Sequence, residues 1–340
     1  MAAIKKLAPV MFLALLMGIV FSAFRPAPQE KSEGKTYYAA VFLNRGHVTG
    51  GTQSNVGLFK RAAGDTVWTN IYRRNLLSFG LGIWEGKSGR RYYIAAGNGL
   101  HRSVDGTKSW RVLTDWHTEE ILSVAPDPID SSIIYVSTPF GVFKSIDEGR
   151  HWEKKMTGMK KWFVKKVVLD VNDRKKLFAV GEDDVFRSTD SGDHWEALHA
   201  GLSDVQSFAQ DPASPNHFLA GGEENGIRLT LDGGKTWQTA QGVPKESFYA
   251  ITISPDGRTA YAGGFKTGLW TSTDAGMSWK LLWKNPEIEA ISTIFVHKND
   301  PSHLMIGTSG QGIYESPDAG KTWRCDGLQG CQVRQIELYP

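Results

Sequence analysis

Seven tryptophans set the period of this chain. Trp68, Trp110, Trp152, Trp195, Trp237, Trp279 and Trp323 lie 42, 42, 43, 42, 42 and 44 residues apart. Five of them close one pattern, Ser/Thr-x-Asp-x-Gly-x-x-Trp. The copies are Ser145, Asp147, Gly149 and Trp152; Ser188, Asp190, Gly192 and Trp195; Thr230, Asp232, Gly234 and Trp237; Ser272, Asp274, Gly276 and Trp279; and Ser316, Asp318, Gly320 and Trp323. A sixth copy keeps Ser103, Asp105 and Trp110 but has Thr107 at the glycine position, and the seventh keeps only Trp68. A repeat of about 40 residues restricts a chain to repeat architectures.

A hydroxyl, a carboxylate and an indole in eight residues also resemble a catalytic site. Active sites, however, are built once per domain, and this pattern occurs in nearly every unit. The residue types suit a turn. Ser, Thr and Asp side chains bond nearby backbone groups and fix its course. Gly takes the positive φ that a tight turn needs. Trp supplies a large apolar body to pack between neighbouring sheets. The pattern is therefore expected to be structural.

Each unit reads as four short strands, A to D. In the third, "EILSVAPDP" and "SIIYVST" give A and B, and "GVFKSIDEGRHWEKKM" gives C and D around the Asp-containing turn. Strand B recurs as "YYIAAG", "KLFAVG", "HFLAGG", "TAYAGG" and "HLMIGT". Four antiparallel strands per unit describe a β-propeller blade, and seven units close into a ring without exposed sheet edges. The predicted fold is all-β: a seven-bladed β-propeller with four antiparallel strands per blade. "TYYAAV", residues 36–41, resembles strand B, while the C-terminal "CQVRQIELYP" resembles strand A. The last strand of the chain is thus expected to complete the first blade and close the ring.

The propeller is expected to occupy residues 35–340. Lys5 and Lys6 precede an apolar run from Leu7 to Phe24, the layout of a secretory leader over residues 1–23, or of an anchor if it is not cleaved. Residues 24–34 read as a flexible, Pro-containing lead-in. The expectation is export to the periplasmic, extracellular or lumenal side, with or without membrane attachment. The formal charge is +3, about +1 without the two leader lysines, so global charge gives no argument for nucleic acid. The two cysteines, Cys325 and Cys331, read as a disulfide in an exported chain. The nine histidines show no metal-ligand spacing, and no metal or cofactor is expected.

These residues resemble the Asp-box, or BNR, repeat families. The resemblance covers the whole chain after the leader and is closest to the photosystem II stability and assembly factors. It implies a non-enzymatic propeller that holds membrane protein intermediates. Sialidases and xyloglucanase-type glycoside hydrolases carry the same boxes. The sialidase motif is only grazed by "FRPAP" at Phe24, and xyloglucanase-type enzymes resemble two facing propellers where this length fits one. The expected function is a monomeric scaffold or assembly factor binding an envelope or membrane protein. The alternative is a glycan-binding or glycan-hydrolysing protein.

The D–A and B–C loops form the face opposite the Asp-containing turns, and a binding site is expected there. Its candidate docking residues are Arg73, Arg74, Trp116, His117, Lys160, Lys161, Trp162, Lys165 and Lys166. Trp and Arg often dominate interface energies. Acidic B–C loops bring Asp183, Asp184, Glu223 and Glu224, from which a glycosidase pair would need carboxylates about 5 to 10 Å apart.

Overall fold

The computed structural model describes residues 34–44, 56–72, 76–115 and 117–339. The leader and all but the end of the lead-in lie outside these residues. Within them are 28 strands in seven four-stranded antiparallel sheets, and no helix. Six blades take their strands in chain order. Blade 1 does not: its innermost strand A is Cys331–Tyr339, followed outward by Thr36–Asn44, Gly57–Ala62 and Thr69–Asn70. Thr36 pairs with Tyr339 and Asn44 with Cys331, so the C-terminal strand closes the ring. Strand B of blade 1 runs three residues beyond the expected "TYYAAV" and brings Phe42 into the sheet.

The core is divided among the seams between blades. Seven apolar clusters each combine residues of two neighbouring blades, and each includes one of the seven periodic tryptophans. Trp195, for instance, packs with Tyr135 and Val142 of blade 3 and with Leu177 and Phe186 of blade 4. Strand B is buried along its whole length in blades 3 to 7, as a strand covered on both faces must be.

The repeated turn joins this core to the ring. Ser188 Oγ donates to Asp190 Oδ1 at 2.9 Å and accepts from Gly192 N at 2.8 Å. Asp190 Oδ1 also accepts from His194 N at 2.9 Å, and His194 Nδ1 lies 2.8 Å from Oδ2. Gly192 has φ 91°, which is why glycine stands there. Trp195 Nε1 then donates to the Lys155 carbonyl of blade 3 at 3.1 Å. The same carboxylate-centred bonds recur at Asp105, Asp147, Asp232, Asp274 and Asp318. Thr107 takes the glycine position with φ 72°, a strained setting for a β-branched residue.

Blade 1 replaces the motif. Arg61 occupies the serine position and is buried. Its guanidinium stacks 4.8 Å from the Tyr37 ring and 5.3 Å from Trp68. Nη2 reaches Asp326 Oδ2 at 3.1 Å and Glu315 Oε1 at 3.7 Å, both on blade 7. An ionic cluster thus accompanies the closing seam.

The expected disulfide is not formed. Cys325, on the outermost strand of blade 7, is exposed, and its sulfur accepts from Gln329 Nε2 at 3.1 Å. Cys331 starts the closing strand and is buried among Met305, Val333 and Ile336, its sulfur accepting from Asn44 Nδ2 at 3.0 Å. The six-residue separation leaves one sulfur in solvent and draws the other into the seam.

Candidate functional site

The D–A and B–C loops gather around one mouth of the central channel. A backbone device shapes this mouth. The pairing of strands A and B slips by one residue at the same level in blades 2, 4, 5 and 7. The extra residues are Phe79, Lys165, Gln206 and Ser292. In blade 1, Ala40 pairs with Gln335 and Val41 with Val333, so Arg334 is the extra residue. Bulges re-aim side chains and are common beside functional sites.

Contacts link these residues around the opening. Phe79 packs on Phe42 at 4.7 Å between ring centroids, and the Arg334 guanidinium lies 4.8 Å from the Phe42 ring. Arg334 is water-accessible, yet the mouth encloses it, and this loss of hydration pulls its pKa down. Tyr249 of blade 6 interacts electrostatically with Arg334, Glu223 and Asp204, and burial raises its hydroxyl pKa. Glu223, on the B–C loop of blade 5, donates its backbone N–H to the Asp204 carbonyl of the preceding D–A loop at 3.1 Å. The Asp204 side chain is the main reason the Glu223 pKa is raised. Burial works against charge on Asp204, but bonds from Glu223, Lys165 and Gln206 prevail and hold it below the usual range. Gln206 Nε2 donates to Asp204 Oδ2 at 3.0 Å, and Lys165 Nζ bonds both Asp204 Oδ1 and the Val205 carbonyl. The mouth therefore carries two mutually perturbing carboxyls, one of them held by a lysine, beside an arginine set against an aromatic ring.

The sequence-derived docking residues fall in several places. Arg73, Arg74 and Trp116 lie outside the described residues. His117 is exposed, with Nδ1 3.6 Å from Asp115 Oδ2. Lys160 is exposed, and Lys161 Nζ lies 3.8 Å from Glu182 Oε1 of the next loop. Trp162 is 62% exposed, with Lys154 Nζ 4.9 Å from its ring. Lys165 belongs to the mouth. Lys166 is not on the loop face: it interacts with Glu337, on strand A of blade 1. Enclosure pushes the Lys166 pKa down and the Glu337 pKa up.

The acidic candidates also separate. Asp184 is buried and ties its B–C turn to the D–A loop, accepting from Val185 N, His199 N and Ala200 N at 2.8, 2.9 and 3.0 Å. Asp183 and Glu224 are exposed. Sequence reasoning missed Asp204, Gln206, Tyr249, Arg334, Phe42 and Phe79. The one available signal was a shared place near the start of strand A, and it covers Phe79, Gln206 and Arg334 only; Asp204 and Tyr249 precede their strands, and Phe42 lies on strand B. Among the described residues, no three His, Cys, Asp or Glu side chains are grouped to hold a metal.

No family model matches the chain. A stretch of 59 residues, 17% of the chain, is 34% identical to vacuolar protein sorting/targeting protein 10 of Sordaria macrospora and spans 4% of that protein. Solved structures share the fold. YCF48 from Cyanidioschyzon merolae is 16% identical with a TM-score of 0.57, over 77% of this chain and 94% of that one. A YCF48 bound to a D1 peptide is 15% identical with a TM-score of 0.54, over 73% and 88%. An ancestral GH74 enzyme is 16% identical with a TM-score of 0.56, over 73% of this chain but 36% of the enzyme. The structural neighbours thus include both YCF48 propellers and a glycoside hydrolase propeller.

Proposed function

We propose that this protein is an exported Asp-box propeller that binds another protein of the envelope or membrane through its D–A and B–C loop face, without catalysing a reaction. The observation that carries this reading is the Asp204–Glu223 pair. The two carboxyls perturb each other directly, and the Asp204 carboxylate is already held by Lys165 and Gln206, an arrangement unlike two free carboxyls set roughly 5 to 10 Å apart across a bond to be cleaved. What the mouth offers is recognition chemistry: a desolvated guanidinium, two phenyl rings, a tyrosine and a carboxylate pair. The YCF48 structure with a D1 peptide adds support, as a ring of the same fold with a peptide bound.

The test is photo-crosslinking in the native host. A crosslinking amino acid is placed at His117, Asp183 or Glu224 on the loop face, and at Val104 or Ile146 in the repeated turns. One discrete protein adduct from the loop positions and none from the turns is the expected result. Binding or cleavage of a glycan by the purified ring, abolished by Glu223→Gln, would instead establish the carbohydrate reading.

A further inference from the structure

The D–A loop between the last strand of blade 3, Glu153–Lys154, and the first strand of blade 4, Val164–Leu169, carries large apolar side chains in solvent. Trp162 is 62% and Phe163 38% exposed, and Phe140 on the adjoining B–C loop is 52% exposed. Burying such rings is worth several kcal/mol in water, so leaving three outside needs a reason.

The exposure does not come from a loose segment. Met159 and Val164 on either side of the tip are buried. Met159 N donates to the Met156 carbonyl at 3.0 Å, and the Thr157 carbonyl accepts from Trp195 N at 2.8 Å. The lysine stem of Lys154 passes Gly141, beside Phe140, and sets its ammonium 4.9 Å from the Trp162 ring. Lys154 thus runs from the Phe140 loop to the Trp162 ring.

The local charge is basic. Residues 154–166 contain six lysines and no acid. Lys155 is held by Glu153 and Asp193, Lys165 by Asp204, and Lys166 faces the channel. Lys154 and Lys160 pair with no carboxylate among the described residues, and Lys161 reaches only the half-exposed Glu182, at 3.8 Å. The neighbouring Asp183 bounds the basic area on one side.

We infer that Phe140, Trp162 and Phe163, with Lys154, Lys160 and Lys161, form a membrane-docking tip that inserts into the headgroup region of an anionic bilayer. Exposed rings beside lysines that no carboxylate among the described residues neutralises match a bilayer interface, which accepts Trp and Phe at its acyl boundary while anionic headgroups take the lysines. The tip is independent of the partner-binding reading: a ring that holds no protein would still bind vesicles.

The test uses a chain beginning at Gly34, which retains every strand of the ring and lacks the apolar run of residues 7–24. Sedimentation is measured with phosphatidylcholine vesicles, with and without phosphatidylglycerol. Binding is expected only with the anionic lipid and is weakened by salt. Trp162→Ala with Phe163→Ala should lower partitioning roughly 100-fold. Lys154→Ala and Lys160→Ala should each lower it roughly fivefold. Unchanged melting of each variant shows that the fold is intact. As a second readout, brominated lipid should quench part of the tryptophan fluorescence, and Trp162→Phe should remove that quenching while vesicles stay bound. The proposal is overturned if anionic vesicles do not sediment the chain at low salt, or if the aromatic double variant binds like the parent. It is also overturned if an acidic peptide binds the tip while vesicles do not.

Discussion

Replacing Asp326 by Asn should make the ring more stable at neutral pH. The expectation follows from the cluster at the closing seam. Two carboxylates share the Arg61 guanidinium, which is 3% exposed. Glu315 has further partners: Arg324 Nη2 at 2.6 Å and His303 Nε2 at 2.6 Å. These bonds and Arg61 outweigh its burial and hold it well below the usual range. Asp326 is 9% exposed, and burial, opposed by Arg61 and reinforced by Glu315, pushes it up to about 6 from 3.8. Between those values the folded ring binds more proton than the unfolded chain, so this group lowers stability as pH rises through the window. A shift of about two units corresponds to about 3 kcal/mol of ionisation cost at neutral pH. Asn removes that cost, and Trp68 Nε1 retains its bond to the residue-326 carbonyl at 3.0 Å. The assay is urea unfolding of parent and variant at about pH 4 and about pH 7.5, with unchanged m-values. The variant's stability relative to the parent should rise by about 2 kcal/mol between the two, because at about pH 4 the unfolded carboxyl is already half ionised. A difference that is flat, or that falls as pH rises, would refute the reasoning.

Further outcomes follow from the same contacts. Deleting the chain from Val333 removes buried Val333 and Ile336 and most of the closing ladder. That loss, roughly 5 kcal/mol from the two side chains alone, rivals the whole stability of many domains, and the cooperative calorimetric transition should disappear. Thr107→Gly should add about 1 kcal/mol in chemical denaturation by relieving the φ 72° strain, while keeping the backbone N–H bond to Ser103 Oγ. Asp274→Ala takes away the acceptor of Ser272 Oγ and Ser278 N and should lower stability by about 1–2 kcal/mol, with a change in the near-ultraviolet signal of the Trp279 seam. Reductant should leave the melting temperature unchanged, because no bond joins Cys325 to Cys331; a lowered value would show that one forms.

The ring was legible because its signals lie within single segments. A tryptophan every 42 residues or so, a buried strand B and an orphan strand A at the C-terminus each appear in one stretch of chain. The mouth was less legible because it depends on relations between stretches. Arg334 and Gln206 alternate along their strands like any other residue, and only the slip against strand B makes them extra. Glu223 was visible as an acidic loop residue, but its partner Asp204 comes from another loop. Lys166 read as one of a run of loop lysines, yet strand A begins two residues before it and turns it toward Glu337. The cysteines were misread for a related reason: spacing allowed a bridge, but the seam claimed Cys331 for its core.

The central claim is a division of labour: the repeated turns hold the ring and the opposite loops bind its partner. It is tested most directly by two sets of variants read out in parallel for crosslinked partner capture from native membranes and for thermal melting. Changes at Gln206, Tyr249 and Arg334 should abolish capture and leave melting near the parent value. Changes at Asp190 and Asp274 should lower melting and leave capture by the remaining folded ring intact. If the turn variants lose the partner while the ring stays folded, or the loop variants capture it as the parent does, the account is contradicted.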